Sequence, residues 1–141
     1  MMNKAITELK EYSLWRTSID IIPQRITEIE EKMIALGGGG ADSPVMSSGN
    51  KREERLVAYI DEKNELERTL EINKAKQKYI EKGLSMLTDT ERKVLEVFYM
   101  SGMKYSDAME KLVLENVYSE SQIERIKADA LRKYSLCVFG R

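Results

Sequence analysis

The stretch LTDTERKVLEVFYMSGMKYSDAMEKLVLENVYSESQIERIKADALRKY, Leu87–Tyr134, decides the fold. Thr88 and Glu91 stand in the S/T-x-x-E spacing of a capping box: a hydroxyl accepts from a free backbone N–H and a carboxylate reaches back. A helix is therefore predicted from Asp89, with Val94, Leu95, Phe98 and Tyr99 on its apolar side. Gly102 stands where a left-handed residue would end it. Ser106 is predicted to cap a second helix carrying Ala108, Met109, Leu112 and Val113. Ser119 and Gln122 form another capping box, after which Ile123, Ile126, Ala130 and Tyr134 recur at spacings of three and four. Three capped helices follow one another, the last two spaced as a helix-turn-helix.

Upstream, Tyr12, Trp15, Ile19, Ile22, Ile26, Ile29, Met33 and Leu36 alternate at three and four without a miss, which is a heptad seam. Pro23 lies inside it, lacking an N–H and crowding the preceding turn, so a kink or a split is expected near Ile21 and Ile22. The run Gly37–Asn50, GGGGADSPVMSSGN, has the composition of a flexible linker, its four glycines predicted to end the first helix. It lacks the GxxxxGK[ST] pattern of a phosphate loop. A second seam follows at Leu56, Tyr59, Lys63, Leu66, Leu70, Asn73, Gln77, Ile80, Leu84 and Leu87. Two readings of its middle are open: Lys63, Asn73 and Gln77 are polar core positions that set register, or they edge a seam centred on Val57 and Ile60.

The predicted fold is all-α: a long N-terminal antiparallel helical hairpin, coiled-coil-like, followed by a small three-helix helix-turn-helix domain. Residues 1–36 form the first helix, kinked near Pro23, 37–50 the linker, 51–87 the second helix, and 88–141 the helix-turn-helix domain with an apolar tail. Each long helix would span on the order of 50 Å at about 1.5 Å per residue. The linker also permits pairing with a second chain, so homo-oligomerisation through these helices stays open. Gly83 is read as a hinge before the three-helix unit. Leu136, Val138 and Phe139 are expected to close the small core, the alternative being a partner's docking site. Cys137 among them is expected to be a buried thiol.

Composition narrows the function. The net charge of −1 removes any global pull towards nucleic acid, so DNA contact would need a local patch. With no histidine and one cysteine, an internal disulfide and the usual zinc ligand sets are excluded. No catalytic motif occurs and no cofactor or metal is called for; a non-enzyme is expected. The N-terminus lacks a signal-like apolar core and no segment has membrane-span length, so a cytoplasmic protein without membrane contact is expected.

On the last helix, taking Ile123, Ile126, Ala130 and Tyr134 as the buried side puts Ser121, Arg125, Ala128 and Arg132 opposite. Arg125 suits a bidentate pair with guanine, Ser121 a base or phosphate, and Ala128 a thymine methyl. Arg132 and Lys133 are placed for phosphates. Five basic and three acidic residues lie between Ser119 and Arg141, a modest local excess. Glu120 and Glu124 favour the helix start but would repel phosphate. An exposed helix of mixed charge with no ligand is the bland alternative.

The segments LTDTERKVLEVFYMSGMKYSDAMEKL and SESQIERIKADALRKY resemble the promoter-reading region four of sigma-70 factors, through Leu87, Glu91, Arg92, Val94 and Leu95 and the S-x-S-x-I-x-R-I…A-L-R-K ending from Ser119 to Lys133. A charged helical pair ahead of such a unit is similar in architecture to ArpU/RinA-type phage late-operon activators. The resemblance implies a phage or prophage regulator, in host bacterial cytoplasm, whose partners are double-stranded DNA and bacterial RNA polymerase. The positions matching the family's reading helix are Ser121, Gln122, Arg125, Arg132 and Lys133. The chain departs from the family in a longer stretch between Met109 and Ser119, in a turn lacking glycine, where Asn116 would supply the left-handed residue, and in the acids Glu120 and Glu124. A small-terminase-like packaging subunit and a helical adaptor without DNA binding are the competing functions.

Overall fold

The computed structural model describes residues 2–41, 49–116 and 118–141. Among these the chain is all-helical, without a strand. Helix α1 is Met2–Ala41, α2 Gly49–Ser85, α3 Asp89–Leu95, α4 Tyr105–Asn116 and α5 Glu120–Phe139, with α3 running on as a π-turn over Glu96–Met100. The chain divides into two compact units, Met1–Trp15 with Ala75–Arg141, and Arg16–Lys74.

In the unit Arg16–Lys74, the seam residues of α1 turn inward: Ile22 and Ile29 are buried, and Ile19, Ile26, Met33 and Leu36 are half-buried. On α2, Tyr59, Lys63, Leu66, Leu70 and Asn73 face in, while Val57 is 56% exposed and Ile60 39%. The polar residues Lys63 and Asn73 are thus the seam, and Val57 and Ile60 lie outside it. Each polar position has a partner on α1: Asn73 Nδ2 donates to Ser18 Oγ at 3.0 Å, and Lys63 Nζ lies 3.3 Å from Glu30 Oε2. Arg25 Nη2 meets Glu62 Oε1 at 3.4 Å. Over the length of α1 the partners move back along α2, from Asn73 at Ser18 through Lys63 at Glu30 to Arg52 at Gly37, whose carbonyl accepts from Arg52 Nη2 at 2.9 Å; Arg25, with Glu62, departs from that order by one residue. A buried amide with a specific partner costs stability relative to leucine, but it penalises slipped registers, in which it would be orphaned.

Two helix-boundary expectations on these helices are corrected. Helix α1 does not end at the glycine run; it continues through Gly37 to Ala41. Each glycine costs about 1 kcal/mol in a helix but removes no donor, so the hydrogen-bond ladder can carry on. Nor does Pro23 split α1, which is continuous across it. Proline deletes one N–H, and the Pro23 carbonyl is additionally bonded by Thr27 Oγ1 at 3.0 Å. The remainder of the linker, 42–48, lies outside the described residues.

The other unit has two apolar clusters. The first joins Ala5 and Leu9 of α1, Ile80 and Leu84 of α2, Leu87, Leu95 of α3, and Ala130, Leu131 and Tyr134 of α5. Ala5 and Leu9 extend the α1 seam backwards at the same spacing, a turn and more before Tyr12. The second joins Val94, Val97, Phe98, Ala108, Met109, Leu112 and Ile123. Each fully buried leucine or isoleucine contributes about 1.5–3 kcal/mol, so these clusters dominate the stability of the unit. The π-turn shifts the phase of the helix after Leu95, and Val97 and Phe98 enter the second cluster while Met100 packs on the first.

Gly83 is a packing site, not a hinge. A Cβ there would lie 2.6 Å from Val138 Cγ2 and 2.8 Å from Tyr134 Cε2, so only glycine lets α2 and α5 approach this closely. Helix α2 ends at Ser85, two residues before the expected Leu87, and Arg92 donates at 3.4 Å to the carbonyl of Leu84 in its last turn and at 3.5 Å to that of Leu87 beyond it. The apolar tail is the last turn of α5, and it closes the core as expected at two of its three apolar positions. Val138 and Phe139 pack against the first cluster, Leu136 is exposed, and the Cys137 thiol is exposed rather than buried. Gly140 (φ 79°) closes α5 in the left-handed conformation, its N–H donating to the Leu136 carbonyl at 3.0 Å.

Candidate nucleic-acid interface

The start of each helix in this region is set by side chains. At α3, Glu91 N donates to Thr88 Oγ1 at 3.2 Å and Thr88 N to Glu91 Oε1 at 3.1 Å. Gly102 adopts φ 78°, and Met103 N then donates to Ser101 Oγ at 3.2 Å. Helix α4 begins at Tyr105, so Ser106 lies inside its first turn and does not cap it. Tyr105 is held there by its ring, whose centroid is 5.5 Å from that of Phe98. Helix α4 ends at Asn116, which remains helical and gives its side-chain amide to the Leu112 carbonyl at 3.1 Å. It therefore does not supply the left-handed turn residue. At α5, Gln122 N donates to Ser119 Oγ at 3.2 Å and Ser119 N to Gln122 Oε1 at 2.8 Å.

Ile123, Ala130 and Tyr134 of α5 are buried, and Ile126 packs on the second cluster. Ser121, Gln122, Arg125, Ala128, Arg132 and Lys133 are all exposed. Their freedom differs. Arg125 has no ion pair or hydrogen-bonding partner among the described residues, and Ser121 and Ala128 flank it on the same outward side. Gln122 commits its carbonyl oxygen to the capping box. Arg132 Nη2 lies 3.6 Å from Asp129 Oδ1, an exposed pair that solvent screens and that separates easily.

Lys133 has the most constrained position of the set. Its ammonium lies 2.9 Å from Glu91 Oε2, on a carboxylate whose side chain is only 10% exposed. Burial pushes the Glu91 carboxyl up, but the hydrogen bonds from Lys133 and from Thr88 outweigh it and hold the group below its ordinary value. Lys133 thus braces α5 against α3.

Glu124 is engaged as well. Lys127 Nζ lies 3.2 Å from Glu124 Oε2, and the Tyr105 hydroxyl donates to Glu124 Oε1. The same ammonium sits 4.8 Å from the Phe98 ring centroid and 4.9 Å from that of Tyr105. The Glu124 charge is therefore matched locally, which lessens the repulsion of phosphate expected from its position. Lys127 was not among the residues singled out from sequence. Its spacing from Glu124 is visible there, but the aromatic pair that holds it comes from another part of the chain. Lys93 Nζ, 2.9 Å from Glu115 Oε2, ties α3 to α4 in the same way and holds the Glu115 carboxyl low.

One unpaired guanidinium, a hydroxyl and a methyl on one side of a helix form a surface able to meet base edges, with Arg132 a turn or two further along. Among the described residues no group of carboxylates or thiols could hold a metal ion, and no helix is long and apolar enough to cross a membrane. Comparison with protein-family models, with curated proteins and with solved structures finds no match.

Proposed function

We propose that this protein is a transcriptional regulator of phage or prophage origin, a late-gene activator that binds promoter DNA and contacts bacterial RNA polymerase. In this reading α3, α4 and α5 form a sigma-region-four-like helix-turn-helix, and α5 enters the major groove. The first two helices form an antiparallel hairpin that carries the polymerase contact. The observation that carries the reading is Arg125: exposed, unpaired among the described residues, and flanked by Ser121 and Ala128 on the side of α5 opposite its buried positions. A guanidinium left without an internal partner, on a helix whose start is fixed by a capping box, suits bidentate contact with guanine. The test is protection mapping on DNA upstream of neighbouring phage genes, with a discrete footprint as the expected result.

The engagement of Lys127 and Lys133 in internal contacts favours a second reading, a helical adaptor that binds protein without DNA. Capture of polymerase with no footprint at any sequence would select it.

A further inference from the structure

An open groove of about 660 Å³ runs between the end of α2 and the end of α5. Ala75, Tyr79 and Gly83 line it from α2, Met86 from just beyond the end of α2, and Cys137 and Val138 from α5. Gly83 is what lets the two helices come close enough to form a shallow apolar floor. Met86 is 67% exposed and Tyr79 38%, so two large apolar side chains border the floor in solvent. Lys78 and Lys82 complete the lining, one helical turn apart, and neither has an ion-pair partner among the described residues. The lining contains no carboxylate.

The chain also carries the complement of this surface. On α2, Glu53, Glu54, Val57, Ile60 and Asp61 recur at helical spacing outside the buried seam. Val57 and Ile60 are exposed, and the three carboxylates have no partner among the described residues. Two apolar anchors flanked by unpaired acids match an apolar floor flanked by unpaired lysines.

We propose that the groove is a self-association site, occupied by the Glu53–Asp61 stripe of a second copy of this chain. Val57 and Ile60 of one copy lie on the floor formed by Tyr79, Met86 and Val138 of the other, and Glu54 and Asp61 approach Lys78 and Lys82. The proposed exchange is reciprocal, each copy giving stripe and groove to the same partner, which makes a two-fold dimer. Oppositely charged rims set register and speed encounter, while burial of the apolar anchors holds the pair together.

The test uses full-length protein without DNA, so its outcome is independent of the DNA-binding reading. Light scattering across a range of concentrations is expected to show conversion of monomer to dimer. The groove variant K78E/K82E and the stripe variant E54K/D61K are each expected to weaken self-association by about tenfold or more, with helical circular dichroism unchanged. Mixed in equal amounts, they are expected to form a heterodimer, because both exchanged contacts again pair opposite charges. Cys137, the single cysteine, provides a second readout: maleimide labelling should slow as wild-type concentration rises and stay fast in K78E/K82E. A wild type that remains monomeric, a dimer indifferent to both charge reversals, or a mixture that fails to reassociate overturns the proposal. So does protection of Cys137 only on adding a foreign acidic amphipathic peptide, which would assign the groove to a different protein.

Discussion

Lys133, on the exposed side of α5, holds its ammonium 2.9 Å from the Glu91 carboxylate that also closes the capping box of α3. One carboxylate therefore fixes the start of α3 and anchors α5 to it. A lysine that looks from sequence like a phosphate contact has a structural duty, and the two roles are separable by mutation.

Lys133→Ala is expected to destabilise the protein by about 1 kcal/mol, because Glu91 is left partly buried with one contact fewer while Lys133 itself is half in solvent. Urea denaturation measures this. DNA affinity of the folded fraction is expected to fall much less than in Arg125→Ala, which in turn should leave the denaturation midpoint where it was.

The same contact gives an acid limb to stability. The Glu91 carboxyl is held below its ordinary value of 4.5 in the folded chain, so its contribution is fully present above that pH and is lost as the pH falls through the folded value. Glu91→Gln should lower stability at neutral pH and flatten the decline below about pH 4.5 relative to wild type. Denaturant midpoints collected down the acid range would show a curve of unchanged steepness if the contact contributes nothing.

Glu8 behaves oppositely. Burial pushes its carboxyl up despite the nearby Lys4, and its Oε2 atom is buried without a partner, as is the Tyr134 hydroxyl. A raised folded value means that the stabilisation is full below the ordinary 4.5 and is lost as the pH rises through the folded value. Glu8→Gln removes that loss and is expected to raise stability at neutral pH modestly, since Lys4, Lys76 and a hydrogen bond from Tyr79 also act on this carboxyl, with little difference in acid. Thermal melts at two pH values check both the sign and its disappearance.

Gly83→Ala tests the contact between α2 and α5. The added methyl would fall 2.6 Å from Val138 Cγ2, and relieving that overlap is expected to cost about 1–3 kcal/mol despite the better helix propensity of alanine. Were Gly83 a hinge, the substitution would stabilise α2 and raise the melting temperature.

Much of the fold was legible because its signals are local. Thr88 with Glu91 and Ser119 with Gln122 locate two helix starts, and both reciprocal hydrogen-bond pairs are present. Three-and-four spacing picked out the inward positions of both long helices, except Leu56, which opens the second seam in sequence but is 37% exposed. What stayed hidden depended on contacts distant in sequence. Ala5 and Leu9 look unremarkable until they meet Ile80 and Leu84. Gly83 reads as a weak point in a helix until Tyr134 and Val138 are placed against it. Val57 and Ile60 could not be assigned inside or outside by periodicity, since polar Lys63 and Asn73 compete for the seam, and only their partners Glu30 and Ser18 decide it. At the candidate interface, charge was visible but availability was not. Arg125 and Lys133 are both exposed basic residues on α5, and Glu91, more than a helix away in sequence, makes the difference between them.

The most direct test of the proposed DNA-reading role of α5 is fluorescence anisotropy with a promoter fragment, comparing wild type with Arg125→Ala over a series of salt concentrations. Wild-type affinity is expected to fall steeply as salt rises, as it does when phosphate counterions are released, and Arg125→Ala to lose about 1–3 kcal/mol on the specific site. Absence of binding at low salt, or binding that Arg125→Ala leaves unchanged, would contradict it.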